Sequence, residues 1–417
     1  MKRSPHPVVV LAIVLAIPAV VLAVIWQVSD GIAAAARPGP ETLQRIEAEL
    51  APKPAPVGTP LGDWRRSAAA IAADLSREEF EQQVAQFGAT LNDRSCLSIS
   101  VGGSFTPGRN EQEPVIPASL QKLLIAAVAL ETLGADFRYR TTVVGSVENG
   151  VVNGNLWFVG GGDPLLAADW YPSSGFESQP VVHHTSLDLL ADSIVAAGVR
   201  RVEGSVVGVD DRYDDERFAP GWGAGVGGVY GGPYGALMVN DSLVRNSSVR
   251  QSDPAQAAAA ELARLLGDRG VEISAGAGSS RSGPESGVVE IASVESVPMA
   301  LVVEELLTTS DNNTGELLLK EIGFQTSGSG TREAGLASVA TRLDTWGIDR
   351  RGLDLVDGSG LSQLNRLTCR AVVEVLQRFR TDPVFVAALP IAGQEGTMAN
   401  QFVGSDLDGV LLGKTGS

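Results

Sequence analysis

Apolar and polar positions change texture several times along the chain. Val8 to Trp26 is an uncharged, mostly apolar run. From Trp64 to Phe87 the pattern is helix-like, and CLSISV (Cys96 to Val101) alternates with the period of a strand before a Gly-rich turn. The stretch PASLQKLLIAAVALETLG then predicts an apolar helix starting near Ser119 and running to Leu133, with Gly134 placed to end it. Between about Arg140 and Gly287 short β-like runs such as TTVVGSV and SVVGVD alternate with glycine turns, and two helical pieces interrupt them, around 186–198 and 254–267. From Val297 helices return in PMALVVEELLTTSDNNTGELLLKEIG, in a long one before WGI and in LTCRAVVEVLQRFR; GVLLGKTG (409–416) reads as a short strand.

These textures divide the chain into an N-terminal membrane anchor or signal peptide (1–30), a Pro/Ala-rich linker (31–65), the first part of a domain (66–140), an inserted β-rich region (141–290) and the second part of that domain (291–417). A helix needs roughly 20 apolar residues to cross a bilayer, so 8–26 can anchor the chain, with Lys2 and Arg3 keeping its start in the cytoplasm. The small residues of IAAAARP (32–38) support a cleaved signal instead. Either way the rest is exported.

Composition narrows the classes. The 417 residues are 44% hydrophobic and 19% charged, enough for a large core. A net charge of −17 with scattered basic residues excludes a nucleic-acid partner. Export permits a disulfide between Cys96 and Cys369, but two cysteines without neighbouring ligands make neither a framework nor a metal site, and their pairing stays open.

Ser119 and Lys122 lie one helical turn apart and share a face, so a buried, partly neutral Lys122 could take the serine's proton. On spacing alone they could equally be a helix cap and a solvated lysine. Histidine is a poor base here: His6 lies in the targeting segment, and His183 and His184 read as a solvated pair. Ser310 and Asn312, in TTSDNN, sit at an interruption of a helical run, where a hydroxyl can relay a proton and an amide can hold a carbonyl. GKTGS (413–417) offers a cation in Lys414 and a hydroxyl in Thr415, and Gly416 lets another chain lie alongside. It is not a phosphate loop, because Asp408 stands where that motif requires glycine. GGGDP (160–164) reads as a turn, and Asp210 and Asp211 form an acidic patch. No cofactor motif is apparent.

In that order, Ser119-Leu120-Gln121-Lys122, Ser310-Asp311-Asn312 and Lys414-Thr415-Gly416 resemble the three motifs of penicillin-recognising serine acyl enzymes. Further stretches (NLWFVGGGDPLL, VVGVDDRYDDERF, SDNNTGELLLKEIG, DGSGLS and LPIAGQEGTM) are similar to the D-alanyl-D-alanine carboxypeptidase/endopeptidase family of low-molecular-mass class C penicillin-binding proteins, peptidase family S13. The resemblance implies an α+β, transpeptidase-like fold, an antiparallel sheet flanked by helices plus a helical subdomain, with the β-rich region inserted. It implies a peptidoglycan stem peptide as substrate and β-lactams as inhibitors. Ser119 would be the nucleophile and Lys122 its base; Ser310 and Lys414 would serve the leaving group; Asn312 and Thr415 would position the peptide. Backbone N–H groups of Ser119 and Ser417 would bind the oxyanion, and Asp210 or Asp211 would meet a stem-peptide amine. The family continues past its KTG motif with further strand and a helix, so the resemblance implies that a C-terminal part is missing. It also often carries alanine where Gly315 stands. A β-lactamase-like hydrolase and a catalytically silent peptide-binding module are the alternatives.

Overall fold

The computed structural model describes residues 64–416 except Ser178, Ala224 and Glu285. The anchor or signal expected at 1–30 lies outside the described residues, as does the linker up to residue 63. Among the described residues no helix is long and apolar enough to cross a membrane.

After helix α1 (Trp64–Thr90), strands β1 (Leu97–Val101) and β2 (Ser104–Arg109) form an antiparallel hairpin. A short 3-10 turn, Ala118–Leu120, leads into α2 (Gln121–Leu133). No charged residue interrupts 123–130, so α2 has no polar face to offer solvent and is enclosed. Its neighbours, all later in the chain, are α5 (Met299–Thr309), α6 (Asn312–Ser327), α7 (Arg332–Thr345) and α8 (Cys369–Phe379), with the short α9 (Pro383–Ala387) at the edge. Leu124, Ile125 and Val128 meet Val302, Leu306, Leu318 and Val375 in one apolar core.

A second core lies within 140–295. Its five-stranded sheet has the order β12 (Ala277–Ser280), β10 (Val206–Val209), β6 (Leu156–Val159), β3 (Arg140–Gly145), β13 (Val289–Glu295). β10 runs parallel to β6 and β12, while β3 is antiparallel to β6 and β13, so the sheet is mixed. Helices α3 (Leu187–Ala196) and α4 (Pro254–Asp268) pack on it. The inner strand β10, VVGV, is buried along its length, as a parallel strand covered by helix must be. Gly208 lets α4 approach: a Cβ there would lie 2.2 Å from the Ala255 carbonyl oxygen. Strands of two residues form a smaller sheet in the order β11 (Glu272–Ile273), β9 (Arg201–Val202), β5 (Val151–Val152), β4 (Val147–Glu148), and β7 (Leu166–Ala167) pairs with β8 (Thr185–Ser186).

The cysteines are bridged: Cys96, just before β1, is bonded to Cys369 at the first turn of α8, with Cα atoms 5.9 Å apart. The helices around 186–198 and 254–267 form close to the expected bounds. The strand expected at 409–416 reduces to a single bridge between Leu412 and Ile391, because only that residue finds a ladder partner.

Candidate active site

Four segments converge on Ser119. The first is its own turn. Ala118 has φ +48°, a conformation unfavourable for a residue with a Cβ, and the residue facing it shows what holds it there. Gly360 has φ +88° and packs so closely that a Cβ would lie 2.0 Å from the Ala118 carbonyl oxygen. Ser119 follows, partly exposed, and Lys122 is wholly buried one turn on.

Three oxygens surround Lys122 Nζ: Ser119 Oγ at 3.1 Å, Asn312 Oδ1 at 2.7 Å and the Ser359 carbonyl oxygen at 2.6 Å. The last two are obligate acceptors. A neutral amine has two N–H bonds and one lone pair, so when both N–H bonds go to these oxygens the lone pair is left for the Ser119 hydroxyl. Burial lowers the pKa of Lys122 to about 8, against the opposing pull of Asp311, Asp357 and Glu316.

Ser310 lies in the break between α5 and α6, in the left-handed conformation with φ 66°. Asp311 then caps α6 by accepting the Thr314 N–H. The break turns Ser310 Oγ toward Lys414, whose Nζ donates to it at 2.8 Å and also lies 3.2 Å from the Thr415 carbonyl oxygen. Burial, then the charge of Lys122, lowers Lys414 to about 7. Asn312 Nδ2 donates to the Tyr230 carbonyl at 2.8 Å and keeps a second hydrogen. Thr415 is half-buried and Gly416 exposed beside Pro117 and Leu120; Ser417 lies outside the described residues.

The fourth segment, 357–365, carries roles that the sequence did not disclose. The Asp357 carboxylate accepts from Gly360 N, Ser362 N, Asn365 Nδ2, Gln121 Nε2 and Trp222 Nε1, at 2.6 to 3.1 Å. Glu316, one turn after Asn312 on α6, accepts the N–H groups of Gly358 at 3.1 Å and Ser359 at 2.8 Å. Burial, then Asp357, raises its pKa to about 8. The available signals were the turn sequence DGSGLS and the four-residue spacing from Asn312 to Glu316.

Beside Ser310 and Asn312 opens a cavity of about 290 Å³ whose walls include Tyr171, Phe176 and Tyr230. Its carboxylates are Glu177, Asp241, Asp311 and Glu305, and single oxygens of the first three lie within 4.8 Å of one another. Burial raises Asp241 and Glu305 to about 7 and raises Glu177, each with a neighbouring carboxylate adding to the rise. Arg250, which bonds Asp241, is the cation among them. Such a set can accept a positive group, an ammonium or a metal ion.

Asp210 and Asp211 do not line this cavity. Asp210 is 1% exposed, accepts the Ala236 N–H at 2.6 Å and lies 2.5 Å from Arg217 and 3.4 Å from Arg281, so burial and two arginines keep it from a substrate amine. Asp211 is exposed. The two histidines are not a free solvated pair: both line the cavity, with His183 Nε2 3.0 Å from Glu304 and His184 Nε2 3.6 Å from Asp169.

A model of the D-Ala-D-Ala carboxypeptidase 3 (S13) family matches residues 104–251 and 238–417. Carboxypeptidase DacB of Mycolicibacterium smegmatis is 32% identical over 73% of this chain and 66% of its own length. A carboxypeptidase of Mycobacterium tuberculosis is 30% identical over 84% and 75%, and a D-alanyl-D-alanine carboxypeptidase of an Actinomadura species 28% over 74% and 70%. The chain thus spans 66% to 75% of the length of these relatives. Penicillin binding protein 4 from Haemophilus influenzae shares the fold with a TM-score of 0.66 at 19% identity, over 80% of this chain and 87% of that one. The α+β, transpeptidase-like expectation is borne out.

Proposed function

The chain belongs to the D-Ala-D-Ala carboxypeptidase 3 (S13) family of serine hydrolases acting on peptidoglycan peptides, and we propose that it cleaves D-Ala-D-Ala ends through an acyl-enzyme on Ser119. The observation that carries this is Lys122 Nζ, which has two carbonyl-type oxygens as partners and the Ser119 hydroxyl as the third.

Lys122, as the neutral amine, takes the Ser119 proton while Oγ bonds to the carbonyl carbon of the penultimate D-alanine. The carbonyl oxygen becomes an oxyanion, for which the Ser119 backbone N–H is one donor; the expected second, Ser417, lies outside the described residues. As the C–N bond breaks, the amine of the terminal D-alanine takes the Ser310 hydroxyl proton, which Lys414 replaces. Water then attacks the ester, releasing the shortened peptide and Ser119. Lys122 and Lys414 together hold one proton between about pH 7 and 8, and the productive form is the one with that proton on Lys414.

The free Nδ2 hydrogen of Asn312, with Thr415, positions the peptide, and an amine on its side chain is matched by the acidic cavity rather than by Asp210 or Asp211. A β-lactam opens by the same attack, but its leaving group stays tethered and the ester persists. In this reading 141–290 is an insertion that supplies Tyr230 and most of the cavity wall, and the folded part works outside the cytoplasmic membrane. The test is the intact mass of the full chain after benzylpenicillin. An adduct lost in Ser119→Ala is expected, followed by D-alanine release from a stem pentapeptide; no adduct on the wild-type chain would leave a peptide-binding module.

A further inference from the structure

The mechanism above uses Lys122 and leaves open what keeps its lone pair on Ser119. Of its two acceptor partners, Asn312 Oδ1 is fixed by α6 and by the Tyr230 carbonyl. The Ser359 carbonyl sits in a turn with no regular secondary structure, and a loose partner there would let the amine rotate. Glu316 is 1% exposed, has no salt-bridge partner among the described residues, and spends its carboxyl group on the N–H groups of Gly358 and Ser359. The peptide unit that Glu316 grips is therefore adjacent to the carbonyl that meets Lys122.

We propose that Glu316 is a positioning residue for acylation: through the Gly358 and Ser359 amides it holds the Ser359 carbonyl on Lys122 and so aims the lysine at Ser119. The inference rests on the Ser119 reading above. Glu316 is matched to its place by its neighbours. A Cβ on Gly358 would lie 2.3 Å from the Gly315 carbonyl oxygen, so the turn lies against α6 at backbone distance, within reach of the next side chain on the helix. Asp357 secures the other side of the turn through Gly360 and Ser362. The groups that set the charge balance here are Asp311, Asp357, Glu316 and Lys414 around Lys122, and Asp357 with Tyr234 around Glu316.

The test is the pH dependence of benzylpenicillin acylation in the full chain carrying Glu316→Gln. Oε1 accepts both N–H groups and Oε2 only that of Gly358, so the amide sets its NH2 donor against the Gly358 N–H and loosens the turn there. Lys122 then loses an acceptor that its ammonium needs, so its pKa falls and the acid limb of acylation moves to lower pH. The plateau rate falls by about tenfold or more, because the lone pair is no longer aimed. Val339→Ala, in the helical core away from the turn, is the control for lost stability and should leave the limb in place. Loss of the Glu316 charge lowers Lys122 by itself, so Gly358→Ala, which displaces the same carbonyl with Glu316 in place, must give the same two changes; a limb that moves only in Glu316→Gln is a charge effect and overturns the proposal. A lower plateau with an unmoved limb, as in the control, overturns the proposal. An unreactive wild-type chain would instead overturn the Ser119 reading, and this inference with it.

Discussion

Replacing Lys122 by methionine tests how the fold bears a buried cation. The side chain has no exposed surface, and its pKa of about 8 lies below the 10.5 of an unfolded chain; that gap corresponds to about 3 kcal/mol. Below pH 8 the lysine is charged in both states and folding bears this cost in full. Between 8 and 10.5 the unfolded chain keeps a proton that the folded chain has released, so stability rises with pH; above 10.5 the cost is gone. Lys122→Met removes the titration and leaves Asn312 Oδ1 and the Ser359 carbonyl without their donor, a loss of about 1–3 kcal/mol that does not depend on pH. Wild type and variant should therefore be of similar stability near pH 7.5, the variant equal or slightly ahead. By about pH 9.5 the difference should have moved in favour of the wild type by about 2 kcal/mol. Relief of Lys414 in the variant acts mainly below pH 8 and in the same direction. Urea unfolding of both proteins, followed by tryptophan fluorescence at the two pH values, cancels the groups they share. A difference constant to within about 0.5 kcal/mol would refute the reasoning, since it would mean that Lys122 does not titrate in this window.

Release of D-alanine from a stem pentapeptide should follow a bell in pH with limbs near 7 and 8. Both lysines are charged below it and neither is above, and a flat profile from pH 6 to 9 would exclude the pair as base and acid. Gly360→Ala places a Cβ against the Ala118 carbonyl at φ +88° and should cost about 1–3 kcal/mol in unfolding free energy while nearly abolishing acylation; an unchanged acylation rate would show that the turn does not position Ser119. Serine at both Cys96 and Cys369 opens a loop with a sequence separation of 273 and should lower the unfolding free energy by about 3–5 kcal/mol, read by urea titration against reduced and oxidised wild type. Gly315→Ala gains up to about 1 kcal/mol of helix propensity, but its Cβ would stand 3.2 Å from the Gly358 carbonyl oxygen. A raised melting temperature with slower acylation is expected, and a faster rate would contradict the tight packing of that turn.

The sequence discloses those parts of the site that depend on local spacing. Ser119 and Lys122 meet because three residues make nearly one helical turn, and Ser310 marks a helix break because Asp311 caps the helix that follows. Partners chosen by tertiary packing left no such trace. Glu316 looks like one more polar helix position until the turn at 358–359 is laid against it, and the cavity draws its acids from 177, 241, 305 and 311. The DD pair at 210–211 suggests an accessible acidic patch that could meet a substrate amine. In the structure Asp210 follows a fully buried parallel strand, and Arg217, seven residues on in the same loop, folds back to meet it. The same limit applies to Cys96 and Cys369, whose pairing depends on α8 returning to the β1 hairpin.

The order in which the pieces of the site are made follows from the contacts of Lys122 and Lys414. Ser119 and Lys122 are synthesised early; Asn312 and Ser359 come 190 and 237 residues after Lys122, and Lys414 comes later still. A nascent chain therefore carries its serine through most of synthesis beside an unrestrained lysine, with nothing to aim one at the other. In the mechanism proposed above, reactivity therefore waits until residue 414 has joined the fold, and a partly made chain would be chemically quiet toward peptides it meets.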